Sequence, residues 1–100
     1  MSIEPIIKKT IQDKNLSQKY GITYIGLFGS YARNEQTHLS DIDLYLQFDP
    51  QRKVTLFDLA RLQQELEHDL QRKIDIVTRF NKHIEPFIRK DIITLYGKEN

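Results

Sequence analysis

The sequence contains no cysteine. That absence removes disulfide frameworks, zinc–thiolate sites and thiol nucleophiles together, and it suits a reducing compartment. Neither sign of charge is in excess, because 15 Lys and Arg against 14 Asp and Glu leave a formal net charge of +1. Such a balance does not make a general nucleic-acid surface, so direct nucleic-acid binding is not expected and any phosphate binding must be local. No apolar run approaches the length of a membrane span, and the opening MSIEPIIKKT lacks the uninterrupted apolar stretch of a signal peptide. The expectation is a cytoplasmic protein with no membrane partner. Repeats, low-complexity tracts and linkers are missing too. The three histidines, His38, His68 and His83, are scattered and none has the spacing of a metal-binding pair.

What is present fits one domain. One hundred residues, 39% of them hydrophobic, can bury one core, with residues 1–100 forming a single unit and no room for a separate acceptor domain. Ser2 as N-cap, Pro5 near the first turn, and Ile3, Ile6, Ile7 and Ile11 at helical spacing predict an amphipathic helix, followed by a polar stretch that ends at Gly21. Ile22 to Phe28 is β-branched and aromatic and lies between Gly21 and Gly29, which predicts a buried strand. Ser30 to Glu35 suits one or two helical turns, and Asn34 to Ser40 is polar turn material. From Asp41 to Phe48 the pattern alternates. Ile42, Leu44, Leu46 and Phe48 take one face, and Asp41, Asp43, Tyr45 and Gln47 take a polar one. Asp49-Pro50 ends that strand, and Thr55 with Asp58 resembles a capping box opening a long helix striped by Leu59, Leu62, Leu66 and Leu70. Lys73 to Thr78 reads as a third strand with Asp75 on the face away from Ile74 and Ile76. A last helix is expected from Pro86, carrying Ile88, Ile92 and Leu95 and closing at Gly97.

The chemistry concentrates in GLFGSYARNEQTHLSDIDLYL. At a helix start the first backbone N–H groups lack partners and the dipole is positive, so Gly29 and Ser30 can cradle phosphate oxygens. Residues two apart in a strand point to one side, so Asp41 and Asp43 present two carboxylates to one small volume. Such a pair repels unless a divalent cation offsets the charge, and magnesium suits oxygen ligands and substrate phosphates. Asp75 joins as a third carboxylate if its strand lies beside the first, as metal ligand or general base, and three carboxylates suffice for two ions. Singly, a Gly-Ser is more often a plain turn and an Asp-x-Asp more often solvated surface. The combination at this spacing carries the functional reading.

Gly29-Ser30, ten intervening residues, Asp41-x-Asp43 and a later strand aspartate, Asp75, resemble the MNT family, minimal nucleotidyltransferases of the DNA polymerase β-like superfamily. The resemblance implies an α/β fold, a small mixed sheet packed with about four helices. It also implies a site in which Gly29 and Ser30 contact the triphosphate of ATP while Asp41, Asp43 and Asp75 bind Mg2+, two ions in all. Tyr31-Ala32-Arg33 continues the family pattern and Ser40 directly precedes the aspartates, so Arg33 and Ser40 join the nucleotide-binding set. Arg33 reads as a phosphate clamp or as a surface arginine. Asn34 stands where many relatives have glycine, and asparagine tolerates the left-handed conformation that the turn needs. Free-standing members of this length resemble the antitoxin half of HEPN–MNT pairs. That resemblance implies AMP transfer to a tyrosine of a HEPN ribonuclease toxin and a hetero-oligomer with it. The alternatives are an antitoxin that neutralises by binding alone and a nucleotidyltransferase acting on a small molecule.

Overall fold

The computed structural model describes residues 2–99. In chain order the elements are α1 (Glu4–Asp13), α2 (Leu16–Tyr20), β1 (Ile22–Phe28), β2 (Ile42–Phe48), α3 (Leu56–Leu70), β3 (Ile74–Val77), α4 (Glu85–Asp91) and β4 (Ile93–Gly97). The four strands form one mixed sheet in the order β3-β2-β1-β4. β1 runs antiparallel to both β2 and β4, whereas β2 and β3 are parallel. This is the α/β architecture expected from the sequence, although its two ends differ from expectation.

At the first end, Asn15 adopts a left-handed conformation with φ of 51°, which breaks the helix and starts α2 inside the stretch read as polar. Leu16 and Tyr20 of α2 are buried with Ile7 and Ile11 of α1, while Ile6 is half-exposed. The N-cap position belongs to Ile3 rather than Ser2, although the Ser2 hydroxyl accepts a hydrogen bond from the Glu4 amide at 3.3 Å. At the other end, the last helix stops at Asp91, and Ile93 to Gly97 form β4 on the free side of β1. The triplet Ile88, Ile92 and Leu95 fits a helical stripe, but Ile92-Ile93-Thr94-Leu95-Tyr96 is a β-branched and aromatic run with an unpaired strand edge beside it. Tertiary pairing therefore overrides the spacing, and Leu95 enters the core from a strand.

The main core lies on one face of the sheet, where Ile25, Leu27, Ile42, Leu44, Leu46, Ile74 and Leu95 meet Ile7 and Ile11 of α1, Leu16 and Tyr20 of α2, and Leu62, Leu66 and Leu70 of α3. Thr55 caps α3 through the full reciprocal box with Asp58. The opposite face is less polar than the alternation suggests. Tyr45 is buried with Tyr24 and Phe28, and Val77, Phe80, Ile88 and Ile92 pack against them. Phe80 meets Phe28 edge-on at 5.2 Å between ring centres and Tyr45 at 4.5 Å. A single aromatic residue in the loop after β3 thus covers a strand position that the alternation leaves to solvent.

β3 is an edge strand, and α3 closes part of that edge. The Ile74 amide donates to the Glu67 carboxylate at 3.0 Å, and the Ile74 carbonyl accepts from the Gln63 side chain at 2.8 Å. Both bonds satisfy backbone groups of a fully buried residue, and they occupy outward-facing groups on which another chain could pair. Glu67→Ala and Gln63→Ala are each expected to cost about 1 kcal/mol. The loss should appear as a lower urea midpoint with an unchanged m-value.

Candidate functional site

The three aspartates lie at the end of the sheet where β1 finishes and β2 and β3 begin. In the parallel register Asp43 pairs with Asp75, and across β1 Asp43 pairs with Phe28. Directly paired residues share a face, so Asp43 and Asp75 project to the same side, the side of the aromatic cluster. Asp41 stands two residues before Asp43, just outside the strand, and is partly exposed. The lateral adjacency of Asp75 required the parallel β2–β3 pairing, which the structure provides.

Asp43 is the most constrained of the three. Its carboxylate rests against Gly29, where an added Cβ would lie 2.2 Å from Asp43 Oδ2, and Gly29 has a φ of 78°. Burial pushes the Asp43 carboxyl above the usual aspartate range, the charges of Asp75 and Asp41 push it further, and Arg33 pulls it back. Asp43 therefore feels the charge of both other aspartates. Among the described residues no three acidic or histidine side chains converge on a single point able to hold a metal ion. The donor set is nevertheless all carboxylate oxygen with excess negative charge, which is the chemistry that fits magnesium rather than a softer ion.

The segment after β1, expected to make one or two helical turns, makes a single turn. Ala32 and Arg33 donate to the Gly29 carbonyl at 3.1 and 3.2 Å, Asn34 donates to the Tyr31 carbonyl, and Glu35 donates to the Ser30 carbonyl at 2.9 Å. Asn34 takes the left-handed conformation with φ of 58°, so these bonds form the closing pattern normally finished by glycine. Asparagine thus fills the glycine role as anticipated. Four amides are consumed inside the turn, whereas those of Ser30 and Tyr31 have no acceptor among the described residues. Tyr31 and Ala32 pack against the main core and anchor the turn from behind.

The remaining two expected nucleotide-binding residues already have other partners. The Ser40 hydroxyl accepts from the Thr37 amide at 2.9 Å and closes the loop before Asp41. Arg33 donates from Nε to Glu35 Oε1 at 2.8 Å, and its Nη1 lies 3.9 Å from Asp91 at the end of α4. Arg33 is neither a free surface cation nor positioned by itself. Glu35 is the residue that sequence reasoning missed. Its only sequence signal is Arg-Asn-Glu, in which a left-handed centre can fold the acid back onto the base.

The geometry agrees with what this chain is similar to. The nucleotidyltransferase domain family matches residues 8–95. A candidate protein adenylyltransferase of Methanocaldococcus jannaschii is 39% identical over 90 residues, covering 90% of this chain and 87% of that one. The protein adenylyltransferase MntA of Thermococcus cleftensis is 34% identical over 77 residues, covering 77% and 74%. Among solved structures, a protein described as a candidate minimal nucleotidyltransferase superposes with a TM-score of 0.72 at 30% identity, covering 93% of this chain and 95% of that one. Two more share the fold at 22% identity. One is a toxin–antitoxin crystallised with AMP-PNP, with a TM-score of 0.72 and coverage of 92% and 74%. The other is a tri-AMPylated Shewanella oneidensis HEPN toxin in complex with its MNT antitoxin, with a TM-score of 0.63 and coverage of 95% and 70%. Sheet order, the crowded aspartates and these likenesses agree: the chain belongs to the nucleotidyltransferase domain family, as a minimal member with the polymerase β-like fold.

Proposed function

We propose that this chain transfers AMP from ATP to a tyrosine of a cognate HEPN-domain ribonuclease in the cytoplasm, and thereby acts as that toxin's antitoxin. The observation that carries the reading is the placement of Asp43 against Gly29 with Asp75 in register beside it. That arrangement sets an acidic cluster next to a turn whose first amides are unspent. The relatives named as protein adenylyltransferases, and the HEPN toxin that carries AMP in its complex, support the choice of donor and acceptor.

In this mechanism the amides of Ser30 and Tyr31 and the Ser30 hydroxyl receive oxygens of the triphosphate, and Gly29 lets the backbone approach them. Asp41, Asp43 and Asp75 would hold magnesium, which when bound neutralises the acidic cluster and the triphosphate and lowers the barrier to attack at phosphorus. The tyrosine oxygen attacks the α-phosphorus, the bond to the bridging α–β oxygen breaks, and pyrophosphate leaves. Asp75, the most exposed of the three by its strand position, accepts the tyrosine proton directly or through water. Asp43 is half-buried and fixed against Gly29, so it orients rather than exchanges protons.

The test is to incubate the chain with a candidate HEPN partner, magnesium and ATP labelled at the α-phosphate. Label should reach the HEPN protein with the parent chain and not with Asp41→Asn. Undiminished neutralisation of the toxin by Asp41→Asn, with no label on the HEPN protein in either case, would replace the reading with occlusion. Label recovered only on a small molecule would replace the acceptor.

A further inference from the structure

We infer that Glu35 is a positioning residue of the nucleotide site: it locks the Arg33 guanidinium so that its terminal nitrogens face the triphosphate. The inference deepens the proposed nucleotidyl transfer and rests on it for the identity of the ligand.

The argument starts in the backbone. Glu35 is tied to the phosphate-side turn because its amide donates to the Ser30 carbonyl at 2.9 Å, and the left-handed Asn34 reverses the chain immediately before it. The Glu35 side chain is thereby returned to Arg33, two residues back, and accepts from Nε at 2.8 Å. A guanidinium offers five N–H groups in a rigid plane, and one bond at Nε fixes that plane while leaving both Nη groups to donate elsewhere. Neither Nη makes a hydrogen bond within the described residues. The nearest anion, Asp91, is 3.9 Å from Nη1, too far for one. Arg33 therefore belongs to the same turn as the unspent Ser30 and Tyr31 amides, and Glu35 fixes its guanidinium plane there.

Charge alone predicts the opposite consequence. Glu35 is negative beside the place where a polyanion binds, so deleting it by simple Coulomb reasoning strengthens nucleotide binding. A positioning role predicts weakening, because an exposed arginine freed from its partner spends conformational entropy to reach the phosphates. The sign of the effect separates the two.

The experiment measures binding of α,β-methylene-ATP, which cannot be cleaved at the reacting bond, with magnesium by calorimetry. Five chains are compared: the parent, Glu35→Ala, Glu35→Gln, Arg33→Ala, and Glu35→Ala combined with Arg33→Ala. Glu35→Ala should weaken binding by about 3- to 10-fold. Glu35→Gln keeps an oxygen acceptor without the charge and should bind within about twofold of the parent. Once Arg33 is alanine, removing Glu35 should change nothing further. All variants should melt within about 2 °C of the parent without ligand, because the pair is exposed. Unchanged or tighter binding by Glu35→Ala overturns the inference, and so does a loss that persists in the Arg33→Ala background or is equal in Glu35→Gln. A parent that does not bind the nucleotide overturns the site reading itself, which is a distinct result.

Discussion

Asp43→Asn is expected to give a chain that is more stable at neutral pH and nearly inactive. The activity loss follows from removing a charge that organises the acidic cluster, and should be on the order of 10²–10³-fold in AMP transfer at saturating magnesium and ATP. The stability gain follows from repulsion. In the folded chain the Asp43 carboxyl is pushed up by burial and by Asp75 and Asp41. A carboxyl whose folded pKa exceeds its unfolded one contributes stability below the unfolded value and loses it as pH rises through the folded value. The parent therefore carries a penalty at pH 7 that asparagine, which does not ionise, removes. With discounting for solvent screening, the gain is about 0.5–1 kcal/mol, or a rise in Tm of about 2–6 °C for a chain of this size. Melting the two proteins without magnesium from pH 3 to pH 8 checks the sign. Their difference should be small at pH 3 and open as pH rises above the usual aspartate range. A gap that stays constant across that range, or an asparagine variant less stable at pH 7, would contradict the crowding.

Gly29→Ala is expected to damage both fold and activity. The backbone there has a φ of 78°, and an added methyl would meet Asp43 Oδ2 at 2.2 Å. The left-handed conformation costs about 1–2 kcal/mol for alanine. Displacement of a half-buried carboxylate should bring the total to about 2–4 kcal/mol, a large share of a small domain's stability. Tm should fall by about 10–20 °C. At a temperature where the variant is folded, AMP transfer should still drop by about 10²-fold, because the displaced group must hold its place to within about an ångström. The two causes separate in an Asp43→Ala background, where the oxygen that collides is gone and only the backbone contribution remains. Equal destabilisation by Gly29→Ala in both backgrounds would show that the carboxylate does not press on the glycine.

Much of this chain is legible in its residues alone, because the features concerned are local. The alternation from Ile42 to Phe48 states the faces of a strand, the Thr55–Asp58 box states where α3 begins, and Gly29-Ser30 followed by Asp41-x-Asp43 marks the turn that rests against Asp43. Each depends on dihedral preference, pleat or capping within a few residues. Asn34 belongs with them, since its tolerance of positive φ is intrinsic.

Other features have no local signal. Ile88, Ile92 and Leu95 satisfy a helical period equally well, and the free edge of β1 turns the last of them into a strand residue. Phe80 can be placed over Tyr45 and Phe28 only once β3 lies beside β2. The same pairing brings Asp75 next to Asp43, and the reversal at Asn34 brings Glu35 back to Arg33. Residue types and their periods determined by themselves which atoms were available for chemistry and which faces had to be buried. Which strands became neighbours, and so which charges came to share one small volume, was decided by long-range pairing. Its free energy comes from burying one sheet face against α1, α2 and α3 rather than from any short stretch of chain.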